Sequence, residues 1–144
     1  MTRNLITKES ILRAQLATVT EAAVQAAIIG YLCVNRIPHS ITEAKQSFNE
    51  NGQQVRRVKK GWPDITACYK GHFVAIEVKR PINGRLSPGQ ALELDTLRRA
   101  DALVVIARSV DDVKETLRLK QTSLATIREI EATLKKGVKA EQWR

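Results

Sequence analysis

Two short β-rich runs joined by a tight turn constrain the fold of this chain more than any other feature. Residues 65–69 and 72–76 are rich in β-branched and aromatic side chains, which favour strands. The Lys70-Gly71 pair between them is typical of a two-residue hairpin turn, in which glycine supplies a positive φ. The sequence therefore predicts an antiparallel hairpin at the centre of a β-sheet.

The register of this hairpin places two acidic side chains opposite each other. Counting outward from the turn pairs Thr66 with Ala75 and Asp64 with Glu77. Because strand side chains alternate between faces, Lys79 lies on the face of Glu77. The opposite face carries only apolar residues, namely Ile65, Ala67, Val74, Ile76 and Val78.

The facing acids favour a bound cation. Like charges directly opposed on paired strands destabilise a sheet by ~0.2–1 kcal/mol. Mg²⁺ suits the pair, because it prefers carboxylate oxygens and keeps several waters. Each half of the pattern alone also fits a simpler interpretation, since an Asp after Pro63 is often a turn residue and a Glu-x-Lys often a solvated strand face. Neither interpretation explains why the two acidic residues lie directly opposite each other on paired strands.

The charge of the chain suits a polyanionic partner. Lysine and arginine number 24 against 15 acidic residues, a formal net charge of +9. Four cations, Arg56, Arg57, Lys59 and Lys60, directly precede Gly61, and we expect them to contact a phosphate backbone. The alternative is a solvated basic loop on a soluble cationic protein. No apolar run is long enough to span a bilayer and no signal sequence is evident, so we expect an intracellular, cytoplasmic protein.

The remaining sequence predicts one α/β domain over residues 1–144. Before the hairpin, the sequence predicts a helical lead-in over about 1–19, a helix over 20–36 and a first strand within 37–48. After the hairpin, it predicts a helix over 88–100, a strand over 103–107 and a helix that is capped by Ser109 and ends near Leu119. The C-terminal helix and basic tail, over about 120–144, contain a helix over 122–136 with one apolar stripe formed by Leu124, Ile127, Ile130 and Leu134. The two cysteines, Cys33 and Cys68, lack metal-ligand spacing and are expected to be small buried hydrophobes.

These motifs together resemble those of a stand-alone VRR-NUC domain, the virus-type replication and repair nuclease branch of the PD-(D/E)xK superfamily. The residues that carry the resemblance are Gly61-Trp62-Pro63-Asp64, Glu77-Val78-Lys79, Gln90 and, in the early helix, Glu21 and Gln25. The resemblance covers about residues 21–113. The resemblance implies a restriction-endonuclease-like core, in which helices flank a central mixed β-sheet.

The resemblance also implies roles for individual residues. Asp64 and Glu77 would bind the divalent metal, with the carbonyl of Val78 as a further ligand. Glu21 would complete the acidic site directly or through water. Lys79 would help to activate the attacking water.

Gln90 would orient Lys79 or the scissile phosphate. Alternatively, Gln90 only caps its helix, because Ser87-x-x-Gln90 fits a capping box. Thr18-x-x-Glu21 fits the same motif, so Glu21 has the same alternative role. Both side chains head apolar helix stripes, and we therefore expect both to point toward the sheet.

The function implied is that of a Mg²⁺-dependent DNA endonuclease in which Mn²⁺ can substitute. The resemblance implies a homodimer that resolves four-way (Holliday) junctions, with a role in DNA repair and a phage origin. The sequence contains only two each of Trp, Tyr and Phe, which leaves little apparatus for reading bases. The alternatives are a non-catalytic nucleic-acid-binding module, and a flap-type or unspecific nuclease working with a helicase.

Overall fold

The computed structural model describes residues 6–43, 47–55 and 58–137. The elements within these ranges are α1 (Lys8–Ala17), α2 (Glu21–Val34), β1 (His39–Ile41), β2 (Ser47–Phe48), β3 (Gln54–Val55), β4 (Ile65–Tyr69), β5 (His72–Val78), α3 (Pro88–Arg99), β6 (Leu103–Ala107), α4 (Val110–Leu119) and α5 (Leu124–Gly137).

A four-stranded mixed sheet forms the centre of the fold. Its strand order is β1-β4-β5-β6, in which β5 and β6 are parallel and the other neighbours are antiparallel. Helices cover both faces of this sheet, so the predicted α/β class with a central mixed sheet and flanking helices is confirmed. Strands β2 and β3 form a separate two-stranded ribbon.

The central hairpin has the predicted register. Lys70 and Gly71 both have positive φ, 47° and 81°, which matches the right-handed twist of the strands they join. Thr66 pairs with Ala75 in the observed ladder. Strand β4 begins at Ile65, so Asp64 lies one residue before it.

The first strand predicted within residues 37–48 is wrong as a single element. It divides into β1 and β2, which belong to different sheets. Beyond Ile41, the last residue of β1, Thr42 still bonds to the motif, because its N–H donates to the Asp64 carbonyl and its hydroxyl donates to the Pro63 carbonyl. Residues 44–46 lie outside the described part of the chain.

Helices α2 and α4 pack on one face of the sheet. All five apolar residues predicted for this face of the hairpin are buried. They form one cluster with side chains from both helices and from β6, including Val24, Ile28, Leu32, Leu103, Val105, Val113 and Leu117. Burying each large aliphatic side chain stabilises the fold by ~1.5–3 kcal/mol. We call this side the core face.

Helices α3 and α5 cover part of the opposite face. Their contribution is a second cluster in which Leu94 and Ile130 pack with Ala75, Val104 and Ile106 of the sheet. A charged clamp holds α5 in place, since the guanidinium of Arg108 donates to both carboxylate oxygens of Glu129 at 2.7 and 2.9 Å and to the Gly84 carbonyl at 2.7 Å. We call this side the site face.

Several local expectations are wrong. Leu124 is 64% exposed because it is the first residue of α5 and projects beyond the cluster that buries Ile130. Cys33 and Cys68 are exposed, since Cys33 lies off the buried stripe of α2 and Cys68 lies on the site face of the hairpin. Ser109 precedes α4 but makes no side-chain capping bond.

None of the described helices is by itself long and apolar enough to cross a membrane. The pair α1 and α2, bent by 88° at their junction, passes that test by length and composition alone. All residues of α1 are at least partly exposed.

Candidate active site

The Gly61 backbone fixes the loop that carries the first acid. Its φ is 82°, a left-handed conformation, and a Cβ at this position would lie 2.6 Å from the carbonyl oxygen of Gly89. Only glycine allows so close an approach to the first turn of α3. The loop therefore lies against α3 and delivers Trp62, Pro63 and Asp64 to the sheet.

Asp64 is held on both sides. Its backbone carbonyl accepts from the N–H of Thr42 at 2.8 Å, and its Oδ2 accepts from the N–H of Val78 at 2.8 Å. The second bond draws the carboxylate across to β5. The Asp64 carboxylate consequently lies beside that of Glu77, near enough for its charge to affect Glu77.

Glu77 is a buried acid without a hydrogen bond. It is 1% exposed, and neither carboxylate oxygen has a hydrogen-bond partner among the described residues. Burial, followed by the negative charge of Asp64, raises the pKa of Glu77 to about 8. Lys79 opposes this rise only in part, because its Nζ lies 3.6 Å from Glu77 Oε1.

Lys79 is oriented by Gln90. The ammonium is largely buried, at 7% exposure, and donates to Gln90 Oε1 at 3.0 Å. The same oxygen accepts from the N–H of Ser87 at 3.0 Å, while the Ser87 hydroxyl accepts from the N–H of Gln90. The capping box and the contact with Lys79 thus coexist, and the cap immobilises the amide that holds the lysine.

Glu21 is not brought into this cluster. It is the exposed first residue of α2, whose N-cap is Thr20, and Thr18 instead ends α1. The expectations of a capping box at Thr18 and of an inward-pointing Glu21 are therefore both wrong. Within the described residues, no three His, Cys, Asp or Glu side chains converge to hold a metal.

The basic loop is only partly described. Arg56 and Arg57 lie outside the described residues, and Lys60 is exposed. Lys59 forms an ion pair with Glu93 at 2.5 Å. Sequence reasoning missed Glu93, which is 6% exposed and lies one helical turn after Gln90 on α3. The i, i+3 spacing from Gln90 is the signal that could have revealed it.

The donor set fits a hard divalent cation. Two neighbouring carboxylates face a single buried ammonium, and the oxygens of Glu77 lack any compensating donor among the described residues. Carboxylate oxygens are the ligands that Mg²⁺ prefers, and one or two of them commonly suffice when a substrate phosphate completes the site. The site can therefore hold a cation beside an immobilised lysine.

Comparison with known proteins identifies a family that matches most of the chain. The profile of the family described as VRR-NUC domain matches residues 13–111, well over half of the chain. The matched range contains Asp64, Glu77, Lys79 and Gln90. No curated protein and no solved structure matches the chain.

Proposed function

The chain belongs to the VRR-NUC domain family and carries a nuclease module, and from this premise we propose that it is a Mg²⁺-dependent, structure-specific DNA endonuclease. The single observation that supports this proposal most is the Glu77 carboxylate, which is buried beside Asp64 and Lys79 and has no hydrogen-bond partner in the described part of the chain. A buried carboxylate in this state is well suited to bind a divalent cation, which is the role that a metal-dependent hydrolase would give it.

The energetic argument concerns the charged form of Glu77. An ionised carboxylate in an apolar surrounding is costly unless it is paired or binds a metal. Lys79 supplies one positive charge to two acids, which leaves the site short of positive charge. A divalent cation would supply that charge, and Mn²⁺ should replace Mg²⁺ because it accepts the same oxygen ligands.

Asp64 and Glu77 would hold the cation, with the Val78 carbonyl as a further ligand. Glu21, which is exposed at the start of α2, would complete the acidic site directly or through water. When bound, the cation would polarise the scissile phosphate and lower the pKa of water, which is the chemistry such sites supply.

Lys79 would position the nucleophile. Its ammonium has three donors, one of which is used by Gln90. The remaining donors can orient the attacking water or a phosphate oxygen, and charge-assisted bonds of this kind stabilise developing negative charge. Gln90 fixes the direction in which they point.

The substrate proposed is branched DNA. The formal net charge of +9 favours a polyanion, and Lys60 and its neighbours in the basic loop would contact the phosphate backbone. We further propose that two copies form a symmetric dimer, since a two-fold pair of sites can nick two strands of a four-way junction. We also propose that the protein is of phage origin, acts in the cytoplasm of a host cell and has a role in DNA repair.

The decisive experiment compares four substrates of equal length with Mg²⁺ present: a four-way junction, a flap, single-stranded DNA and linear duplex. We expect cleavage of the junction first, Mn²⁺ to replace Mg²⁺, and EDTA to stop the reaction. Lys79→Ala should abolish cleavage and retain binding. Equal cleavage of the junction and the linear duplex would contradict the proposal of a junction resolvase. If the unsubstituted chain bound DNA without cleaving it, the proposal that it is an enzyme would be wrong.

A further inference from the structure

A groove of about 600 Å³ opens beside the first acid of the site. Its volume lies within the ~300–1,000 Å³ typical of small-molecule clefts. The lining residues come from β1 and the segment after it, from the basic loop and from β4, namely Ser40, Ile41, Thr42, Glu43, Val58, Lys59, Trp62 and Thr66.

The groove lies on the same sheet face as the candidate active site. Thr66 pairs with both Ser40 and Ala75, so these side chains share the site face with Glu77. Thr66 also follows Asp64 by two residues, about 7 Å along the chain direction. Because Thr42 is hydrogen-bonded to the backbone of Pro63 and Asp64, one wall of the groove is tied directly to the metal-binding motif.

The groove has an aromatic wall with a fixed position. The half-buried ring of Trp62 contacts Phe73 at a centroid distance of 6.4 Å and an interplanar angle of 60°. This tilted contact holds the indole from the side of Phe73, which is itself 42% exposed. A flat ligand can therefore stack on Trp62 at little cost in side-chain entropy.

The polar lining suits an uncharged planar ligand better than a phosphate. Glu43 and Lys59 both line the groove, so the positive charge that an anion needs is offset there. The ion pair between Lys59 and Glu93 offsets it further. The hydroxyls of Ser40 and Thr66 add donors and acceptors of the kind that recognise amide and amine edges.

We propose that this groove binds an unpaired nucleobase of the DNA substrate, stacked on Trp62, next to the scissile phosphate. The inference rests on the proposed function for its choice of DNA. It narrows the substrate class to DNA with an unpaired nucleotide at the cut, as in a flap or in a four-way junction whose branch-point base pairs have opened, because a base inside a duplex is not available to the groove.

The test uses the fluorescence of Trp62. The sequence contains two tryptophans, so Trp143→Phe leaves Trp62 as the only indole emitter. In EDTA, where cleavage is off, this full-length variant is titrated with blunt duplex and with the same duplex carrying a short unpaired branch. Anisotropy of the labelled DNA reports binding in both cases. We expect strong quenching of Trp62 emission by the branched DNA alone, because an aromatic base stacks on the indole.

Two variants then alter the groove from different elements. Trp62→Leu keeps an apolar side chain without a ring, and Thr66→Leu fills the groove from β4. Each should weaken binding of the branched DNA by about tenfold, the scale of one lost base–aromatic stack, and leave duplex binding unchanged. Trp62→Phe should restore most of the affinity. Phe48→Leu is the matched control, because Phe48 is exposed and does not line the groove.

Several outcomes would overturn the inference while leaving the nuclease intact. Equal quenching by blunt duplex would show that Trp62 reads no unpaired base. Unchanged branched-DNA affinity in folded Trp62→Leu and Thr66→Leu would show that the groove lies off the DNA path. Quenching by free dAMP that leaves branched-DNA binding unaffected would assign the groove to a separate nucleotide. Conversely, selective quenching without any cleavage in Mg²⁺ would support the groove and refute the enzyme.

Discussion

Ile76 and Glu77 are adjacent on β5 and equally buried, but only the surroundings of Ile76 match the chemistry of the side chain. Ile76 is 0% exposed on the core face, where packing with the aliphatic cluster stabilises it. Glu77 is 1% exposed on the site face, where no described group donates a hydrogen bond to it. The comparison teaches that depth of burial does not separate a structural residue from a functional one. What separates them is whether the surroundings satisfy the chemistry of the side chain.

The two faces also differ in coverage. The core face is closed by α2 and α4 along the hairpin. On the site face, α3 and α5 cover the end near Ala75 and Ile106, while Trp62, Thr66 and Phe73 remain partly exposed. One part of that face removes water from Glu77, and the other part carries the groove in which we propose that a base binds.

The largest effect expected concerns the charge on the site face. Glu77→Gln keeps the shape of the side chain but removes its charge, so we expect cleavage of branched DNA to fall at least ~1000-fold, about 4 kcal/mol in the barrier. Single-turnover cleavage with Mg²⁺ measures this. Ile76→Val, one residue away on the core face, should keep activity. Substantial activity in Glu77→Gln would remove Glu77 from the site.

The next largest effect should appear on the core face. Ile76→Ala deletes fully buried carbon atoms and leaves a cavity, which should lower the free energy of unfolding by ~2–5 kcal/mol. Urea unfolding followed by circular dichroism measures it. Leu124→Ala, at an exposed aliphatic position, should change the stability by less than ~0.5 kcal/mol. Similar losses in the two variants would contradict the assigned core.

A smaller effect should follow from the pKa of Glu77. The folded protein holds the proton of Glu77 up to about pH 8, whereas the unfolded chain releases it near 4.5. The metal-free fold therefore loses stability as pH rises between these values, since the unfolded state binds fewer protons. The full shift corresponds to roughly 5 kcal/mol, and local relaxation and water penetration should reduce this to about 2–3.

Melting in EDTA from pH 5 to 9 checks this slope, provided that it is compared with Glu77→Gln. The variant should show a much flatter profile and should be the more stable protein at pH 9. Saturating Mn²⁺ should also flatten the profile of the unsubstituted chain, since the bound cation favours the ionised carboxylate. Parallel profiles for the two proteins in EDTA would place the titration elsewhere.

The smallest effect should come from the residue that holds Lys79. Gln90→Ala removes the acceptor of both the ammonium and the Ser87 amide, so we expect about a tenfold fall in kcat and ~1 kcal/mol less stability. Gln121→Ala, at an exposed glutamine, is the matched control. A variant that loses stability but keeps kcat would reduce Gln90 to a helix cap.

The parts of the fold that follow from local chemistry could be predicted. A positive-φ turn and a period of two set the hairpin register, and Ser87 with Pro88 marks the start of α3. The parts that depend on distant partners could not. The strand predicted within 37–48 divides in two because its first part pairs with β4 and its last part pairs with β3.

The same distinction holds for the candidate site. Sequence spacing predicted that Asp64 and Glu77 would lie together, because both belong to one hairpin. It did not find Glu93 or the groove beside Trp62, since each is created by a loop packing on an element far away in the sequence. The inward orientation expected for Glu21 was wrong, because a helix stripe does not determine which way the first residue of the helix turns.

Helix α5 sets a practical limit on how far the chain can be shortened. The family match stops at residue 111, yet Ile130 is fully buried and Glu129 clasps the guanidinium of Arg108. A fragment that ended at that boundary would lose most of α4 and all of α5, so it would expose the sheet on both faces and leave Arg108 without the carboxylate of Glu129. The segment that matches the family is therefore shorter than the segment that is needed to bury the sheet.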